Sequence, residues 1–172
     1  HGVANYAGNS SFDKDYRNIL NWAVGGAWVL SDESFMPQGG VINYMKIRAQ
    51  GTVVPIVQAL GGAPVGTTMP ETYDALRTGV VDGAMSPQEA LEGWKWGEIV
   101  KFTTQNFGSA YTATMFVVMN KNKWNSLPPD IQKVFTEVSA EWADKQGKLW
   151  DEIDEAGYKW SATKGHKVIA LS

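Results

Sequence analysis

The 172-residue sequence contains no cysteine, which removes disulfide frameworks, thiolate zinc sites and cysteine nucleophiles together. Histidine is nearly absent: His1 is terminal, and His166 sits in the polar turn Lys164-Gly165-His166-Lys167. His166 therefore reads as a surface residue and not as a general base. There is no basic surplus either. Fifteen Lys+Arg against 18 Asp+Glu give a formal net charge of −3, and without a clustered basic stripe this argues against a nucleic-acid partner. Long apolar runs are missing, the longest being Met115 to Met119, whereas about 20 residues are needed to cross a bilayer as a helix. The opening His1-Gly2-Val3-Ala4-Asn5 has neither the charged nor the apolar region of a signal peptide. The chain is expected to begin after processing or to be a piece of something longer.

What is present is the composition of a folded domain, 44% hydrophobic and 19% charged, so a sizeable core is expected. Gly2 to Ser11 reads as a loop, Asp13 to Trp22 as a short amphipathic helix, and Asn21 to Leu30 as strand with a break at Gly25-Gly26. Ser31 to Gly40 is a connection. From Tyr44 onward a strand-then-helix unit occurs three times. Tyr44–Gln50 is followed by a helix that Thr52 caps and Gly61 stops, with Pro55 in its first turn. Ala63–Gly66 is followed by the capping box Thr68-Met69-Pro70-Glu71 and a helix carrying Met69, Tyr73 and Leu76 on one face as far as Gly79. Val80–Met85 is followed by a second capping box, Ser86-Pro87-Gln88-Glu89, opening a helix to Trp96. Right-handed βαβ crossovers and a parallel sheet follow, hence an α/β protein. Phe102–Gly108 and Thr112–Met119 read as further strands. A long helix opens at Pro128-Pro129-Asp130, with Ile131, Val134, Phe135, Val138, Trp142, Leu149 and Ile153 at near-helical spacing, and Gly157 and Gly165 bracket its end. Lys167–Leu171 is a last short strand.

Ligands of open parallel sheets sit beyond the carboxyl ends of the strands, where helix amides point at them. Arg48, then Thr67, Thr68 and Met69, then Met85 and Ser86 fall at those ends. One arginine, hydroxyls and an apolar wall suit a small anion, most naturally a carboxylate. The alternative is that Arg48 is a surface charge and Thr68 and Ser86 are only caps. No GxSxG elbow occurs, and Gly61 to Gly66 follows a helix and precedes a strand, the reverse of a dinucleotide loop. Asp151, Glu152, Asp154 and Glu155 read as a solvated charge run and not as a metal cluster. Asp82 reads as a structural carboxylate that bonds backbone amides. Of the eight tryptophans, Trp142 and Trp150 are assigned to the core, as is at least one of Trp94 and Trp96.

Met45-Lys46-Ile47-Arg48, then Ala59 to Val65, then Met69 to Gly83, in that order, resemble the core signature of the DctP-type solute-binding proteins of tripartite ATP-independent periplasmic (TRAP) transporters. Val117 to Lys121, Trp124 to Pro128 and the long helix are similar to that family as well, so the resemblance runs from about Leu20 to the C-terminus. It implies a periplasmic binding protein of type II-like α/β fold, in two lobes, that closes on a small organic acid and presents it to an ion-gradient-driven membrane permease. No enzyme activity, cofactor or metal is implied. The resemblance implies a chain about twice as long. Residues 1–27 are then the end of a first-lobe segment, 28–111 a second lobe, 112–154 a crossing segment completing the first lobe, and 155–172 a return to the second. An incomplete two-lobe protein of this kind should expose apolar surface or self-associate.

Carried over by position, Arg48 matches the family arginine that pairs with the ligand carboxylate. Met69 stands where an aromatic residue often lines the pocket, and Ser86 where an asparagine often bonds the ligand. An upstream second arginine found in some members has no counterpart, since Val29 to Phe35 contains none; these departures imply a monocarboxylate with an apolar or aromatic body, with Thr68, Trp94 and Asn106 as further contacts. The alternative reading is a Trp-lined carbohydrate-binding module.

Overall fold

A computed structural model describes residues 16–25, 27–30, 44–105 and 112–170, with side chains described for 44–105 and 115–169. The expected loop at 2–11, the connection at 31–40 and Asn106 lie outside the described residues. The chain divides into two compact units, His1–Val24 with Thr112–Asp151, and Gly25–Tyr111 with Glu152–Ser172.

In the first unit β1 (Tyr16–Gly25) and β7 (Thr112–Asn120) form a two-stranded sheet. Tyr16 to Trp22 is thus strand and not the expected helix; the segment continues the β-branched and aromatic run that follows it. The Asn120 carboxamide oxygen accepts from the amides of Asn122 at 3.0 Å and Lys123 at 3.2 Å, capping helix α4 (Lys121–Asn125). Helix α5 runs from Pro129 to Ala162, 34 residues, and enters both units. Its start is tied down by Gln132, whose Nε2 donates to the carbonyls of Trp124 and Leu127, and by an edge-on Trp124–Phe135 contact at 6.0 Å. Farther along, Ile131, Val134, Val138, Trp142 and Leu149 lie in the open. Trp142, expected in the core, is 47% exposed.

The second unit holds a six-stranded sheet in the order β4-β3-β5-β2-β6-β8, built from β2 (Ala27–Leu30), β3 (Lys46–Arg48), β4 (Ala63–Val65), β5 (Gly83–Ser86), β6 (Phe102–Gln105) and β8 (Lys167–Ala170). β3 pairs parallel with β4 and β5, and β6 parallel with β8. β2 runs antiparallel between β5 and β6. Five strands therefore share one direction and one carboxyl edge. β1 ends at Gly25 and β2 begins at Ala27.

One face of the sheet carries Met45, Ile47, Ala49, Met85 and Phe102 against helix α1 (Val54–Ala59), whose Val57 is fully buried. The turn Gly51–Val53 is 3-10 helix, so Thr52 lies inside it and does not cap α1. The other face carries Ala84 and Val65 against Ala75 and Leu76 of α2 (Met69–Arg77), Leu91 of α3 (Ala90–Gly93) and Trp96. Asp82 Oδ2 accepts from the Lys46 amide at 2.7 Å, the structural role expected of it. The third strand is Gly83–Ser86, later than expected, because Ser86 continues the ladder opposite Ala27. Ser86 is therefore no helix cap; α3 is a single turn from Ala90, and Lys95 with φ 59° breaks it before the 3-10 turn Trp96–Glu98.

α5 ends at Ala162, between Gly157 and Gly165 as expected, and Gly157 lies within its last turns against the loop after β5. A Cβ there would stand 2.5 Å from the Gln88 carbonyl oxygen, so only glycine fits. Asp154, one turn earlier, accepts from the Glu89 amide at 2.7 Å. His166 is buried, not on the surface. Its Nδ1 donates to the Val100 carbonyl at 3.0 Å, which leaves Nε2 of the neutral ring to accept from the Thr103 hydroxyl at 2.6 Å. Burial pushes its pKa down, and the Val100 bond opposes that.

Candidate functional site

Arg48 and Ser86 stand at the carboxyl edge of the six-stranded sheet, at the ends of β3 and β5. Arg48 ends β3 and is 8% exposed. Its Nε donates to the Thr67 carbonyl at 3.1 Å and its Nη2 to Gln50 Oε1 at 3.2 Å, while Gln50 Nε2 donates to the same Thr67 carbonyl at 2.8 Å. This triangle fixes the guanidinium plane against the loop between β4 and α2. The loop is itself held, because Thr72 gives its one hydroxyl proton to the Thr68 carbonyl at 2.7 Å. Thr67 is then the donor in the Thr67–Thr72 hydroxyl pair at 2.9 Å.

Thr68 is occupied by the cap of α2. In the capping box the Thr68 side chain accepts from the Glu71 amide and the Glu71 side chain from the Thr68 amide; the Thr68 amide and hydroxyl both donate to Glu71 Oε2, at 2.9 and 2.7 Å. Those bonds hold the Glu71 carboxyl below its ordinary pKa. Met69 is half-buried and packs on the core cluster of this face. Ser86, 1% exposed, ends β5. The register of Arg48 with Ala84 places Arg48 and Ser86 on the same face of the sheet. Trp94 is 38% exposed and bonds the Glu89 carboxylate. Burial first, and Asp154 second, raise the Glu89 pKa against that bond. Arg48, Ser86 and Met69 thus belong to one face, Thr68 to the adjoining cap, and Trp94 to the loop beyond α3.

Three further polar side chains stand at this edge. Gln88 is buried, Gln105 ends β6, and the Tyr158 ring packs on the same core cluster with its hydroxyl facing both carboxamides. Burial raises the Tyr158 pKa, while Gln105 and Gln88 pull it back. The readable signal for Tyr158 was its place on the stripe of Asp154 and Ser161, one turn on either side. No group of three metal-ligating side chains occurs among the described residues.

The family model of DctP, the bacterial extracellular solute-binding proteins of family 7, matches residues 41–172. The chain belongs to this family. Among curated relatives it is 32% identical over 121 residues to the C4-dicarboxylate-binding periplasmic protein DctP of Rhodobacter capsulatus, covering 70% of this chain and 35% of that protein. Among solved structures it resembles a TRAP periplasmic solute-binding protein of Pseudomonas putida with bound D-glucuronate. There the TM-score is 0.82 and the identity 25%, covering 95% of this chain and 53% of the other. A Bordetella bronchiseptica TRAP solute-binding protein with bound mandelate gives a TM-score of 0.80 at 26% identity, covering 91% of this chain and 50% of the other. The DctP-family chain therefore has the type II periplasmic-binding α/β fold, and spans about half the length of these solved relatives. No helix among its described residues is long and apolar enough to cross a membrane.

Proposed function

We propose that the DctP-family chain is part of an extracytoplasmic solute-binding subunit of a TRAP transporter. It takes a small organic acid in the periplasm and delivers it to an ion-gradient-driven membrane permease. The observation that carries this is Arg48, a nearly buried guanidinium at the carboxyl edge of the parallel sheet, oriented by Thr67 and Gln50. A planar fork held in a water-poor site suits a carboxylate. The bound glucuronate and mandelate of the two relatives are both carboxylates. Residues 1–27 and 112–154 are read as part of a first lobe and 28–111 with 155–172 as the second. The exposed stripe Ile131, Val134, Val138, Trp142 and Leu149 is then covered by the remainder of the first lobe, or by a second copy of the chain when that remainder is missing.

Calorimetry of the full-length protein with a panel of organic acids tests the reading. Arg48→Ala should weaken binding of the acid found by at least 100-fold, about 3 kcal/mol for a charge-assisted pair. Unchanged affinity in Arg48→Ala, or thermal stabilisation by neutral glycans alone, would overturn it.

A further inference from the structure

Arg48 ends β3, but what orients it is the start of α2. Its Nε donates to the Thr67 carbonyl at 3.1 Å, and Gln50, which donates to the same carbonyl at 2.8 Å, accepts from Arg48 Nη2 at 3.2 Å. That carbonyl is one end of the rigid peptide plane between Thr67 and Thr68. The other end is the Thr68 amide, which donates to Glu71 Oε2 at 2.9 Å in the first turn of α2. The plane is therefore gripped from both sides. A third contact fixes the residue that carries it: Thr67 Oγ1 donates to Thr72 Oγ1 at 2.9 Å, and the fully buried Thr72 donates in turn to the Thr68 carbonyl at 2.7 Å.

The fold itself has little need of two of these groups. The Thr72 amide already gives the Thr68 carbonyl its helical bond at 3.0 Å, so the hydroxyl is a second donor to an acceptor already satisfied. Gln50 is exposed and lies outside strand and helix, where its carboxamide bonds Arg48 and Thr67. Both groups act instead on the direction of the guanidinium. Ordering a long charged side chain on binding costs affinity, and a guanidinium fixed beforehand avoids that cost.

Resting on the carboxylate reading of Arg48, we propose that Gln50 and Thr72 are positioning residues of the binding site. With Glu71 they clamp the peptide between Thr67 and Thr68, whose carbonyl aims the guanidinium, and so set the affinity for a carboxylate through Arg48. Strand β3 supplies the charge, and the start of α2 supplies its direction.

Two measurements on the full-length protein test this. In the ligand-free state the NMR order parameter of the Arg48 Nε–H bond should be about 0.85, as in rigid groups, and fall below about 0.6 in Gln50→Met and in Thr72→Val. Calorimetry with D-glucuronate, (R)-mandelate and succinate should show each variant binding the acid that wild type takes about fivefold or more weakly. Thr72→Ser, which restores the hydroxyl, should return both quantities to wild type. Melting temperatures should move by no more than about 2 °C, whereas a merely structural role would lower them and leave the order parameter unchanged. Should Thr72→Val fold poorly, Gln50→Met at its exposed position carries both measurements. The proposal is overturned if the order parameter keeps its wild-type value, if affinity is kept while order is lost, or if Thr72→Ser restores neither. If Arg48→Ala binds the acid as tightly as wild type, or none of the three acids binds, the carboxylate reading falls instead, and the order parameter alone decides whether Gln50 and Thr72 position Arg48.

Discussion

Gly157→Ala would put a methyl group where backbone already lies. The added Cβ would stand 2.5 Å from the Gln88 oxygen, 3.2 Å from its carbonyl carbon and 3.5 Å from Glu89 Cα. Carbon atoms in ordinary contact sit about 3.5–4.0 Å apart, so helix or loop must move by about 1 Å. Gln88 is buried and Glu89 is tied to Asp154, so neither side gives easily. Overpacking of this kind costs about 1–3 kcal/mol, against which alanine gains about 1 kcal/mol over glycine in a helix interior. Because the obstructing atoms are backbone, the net loss should lie near 1–2 kcal/mol, or about 2–8 °C in Tm for a chain of this size. Gly147 supplies the control. It lies in the same helix with nothing within 4 Å of an added Cβ, so Gly147→Ala should stabilise by up to about 1 kcal/mol. Urea unfolding followed by far-UV circular dichroism reads both. Gly157→Ala as stable as wild type would refute the close approach of α5 to the loop after β5.

The buried His166 predicts an acid-sensitive second unit. Its folded-state pKa is pushed down by burial, so the unfolded chain binds the proton more readily. Stability is then full above the unfolded value of about 6.5 and falls as pH drops toward the lower folded value. His166→Gln should flatten that limb in thermal melts between pH 7 and 5; an unchanged slope would remove His166 as its source. The exposed stripe of α5 makes a contrast with the core. Leu91→Ala, fully buried, should cost about 2–5 kcal/mol. Val138→Ala, 46% exposed, should stay within about 0.5 kcal/mol in this chain and become costly in the full-length protein. A large loss for Val138→Ala in the isolated chain would show the stripe already covered.

The strand-helix alternation from Tyr44 to Gly79 was legible because its signals are local. A capping box at Thr68 and Glu71, proline in a first turn, and glycines with positive φ at Gly61 and Gly79 act within a few residues of themselves. The same local logic misread Ser86-Pro87-Gln88-Glu89 as a cap. The ladder with Ala27, a partner 59 positions away, claims Ser86 for β5. Tyr16 to Trp22 failed similarly: its amphipathic spacing suited a helix, but pairing with β7 made it strand. His166 looked exposed in a polar turn because nothing nearby in sequence announces Thr103 and Val100 as its partners.

By itself the sequence determined the α/β class, the parallel units, the family and the placing of Arg48 at a strand end, since periodicity, turns and motif order are properties of adjacent residues. Only the tertiary structure decided that Ser86 shares a face with Arg48. It alone brought Gln88, Gln105 and Tyr158 to that edge, by strand register and by the glycine contact of α5. Those residues come from three separate stretches of the chain. Side chains that meet across a sheet are selected by register and packing, which no local spacing encodes.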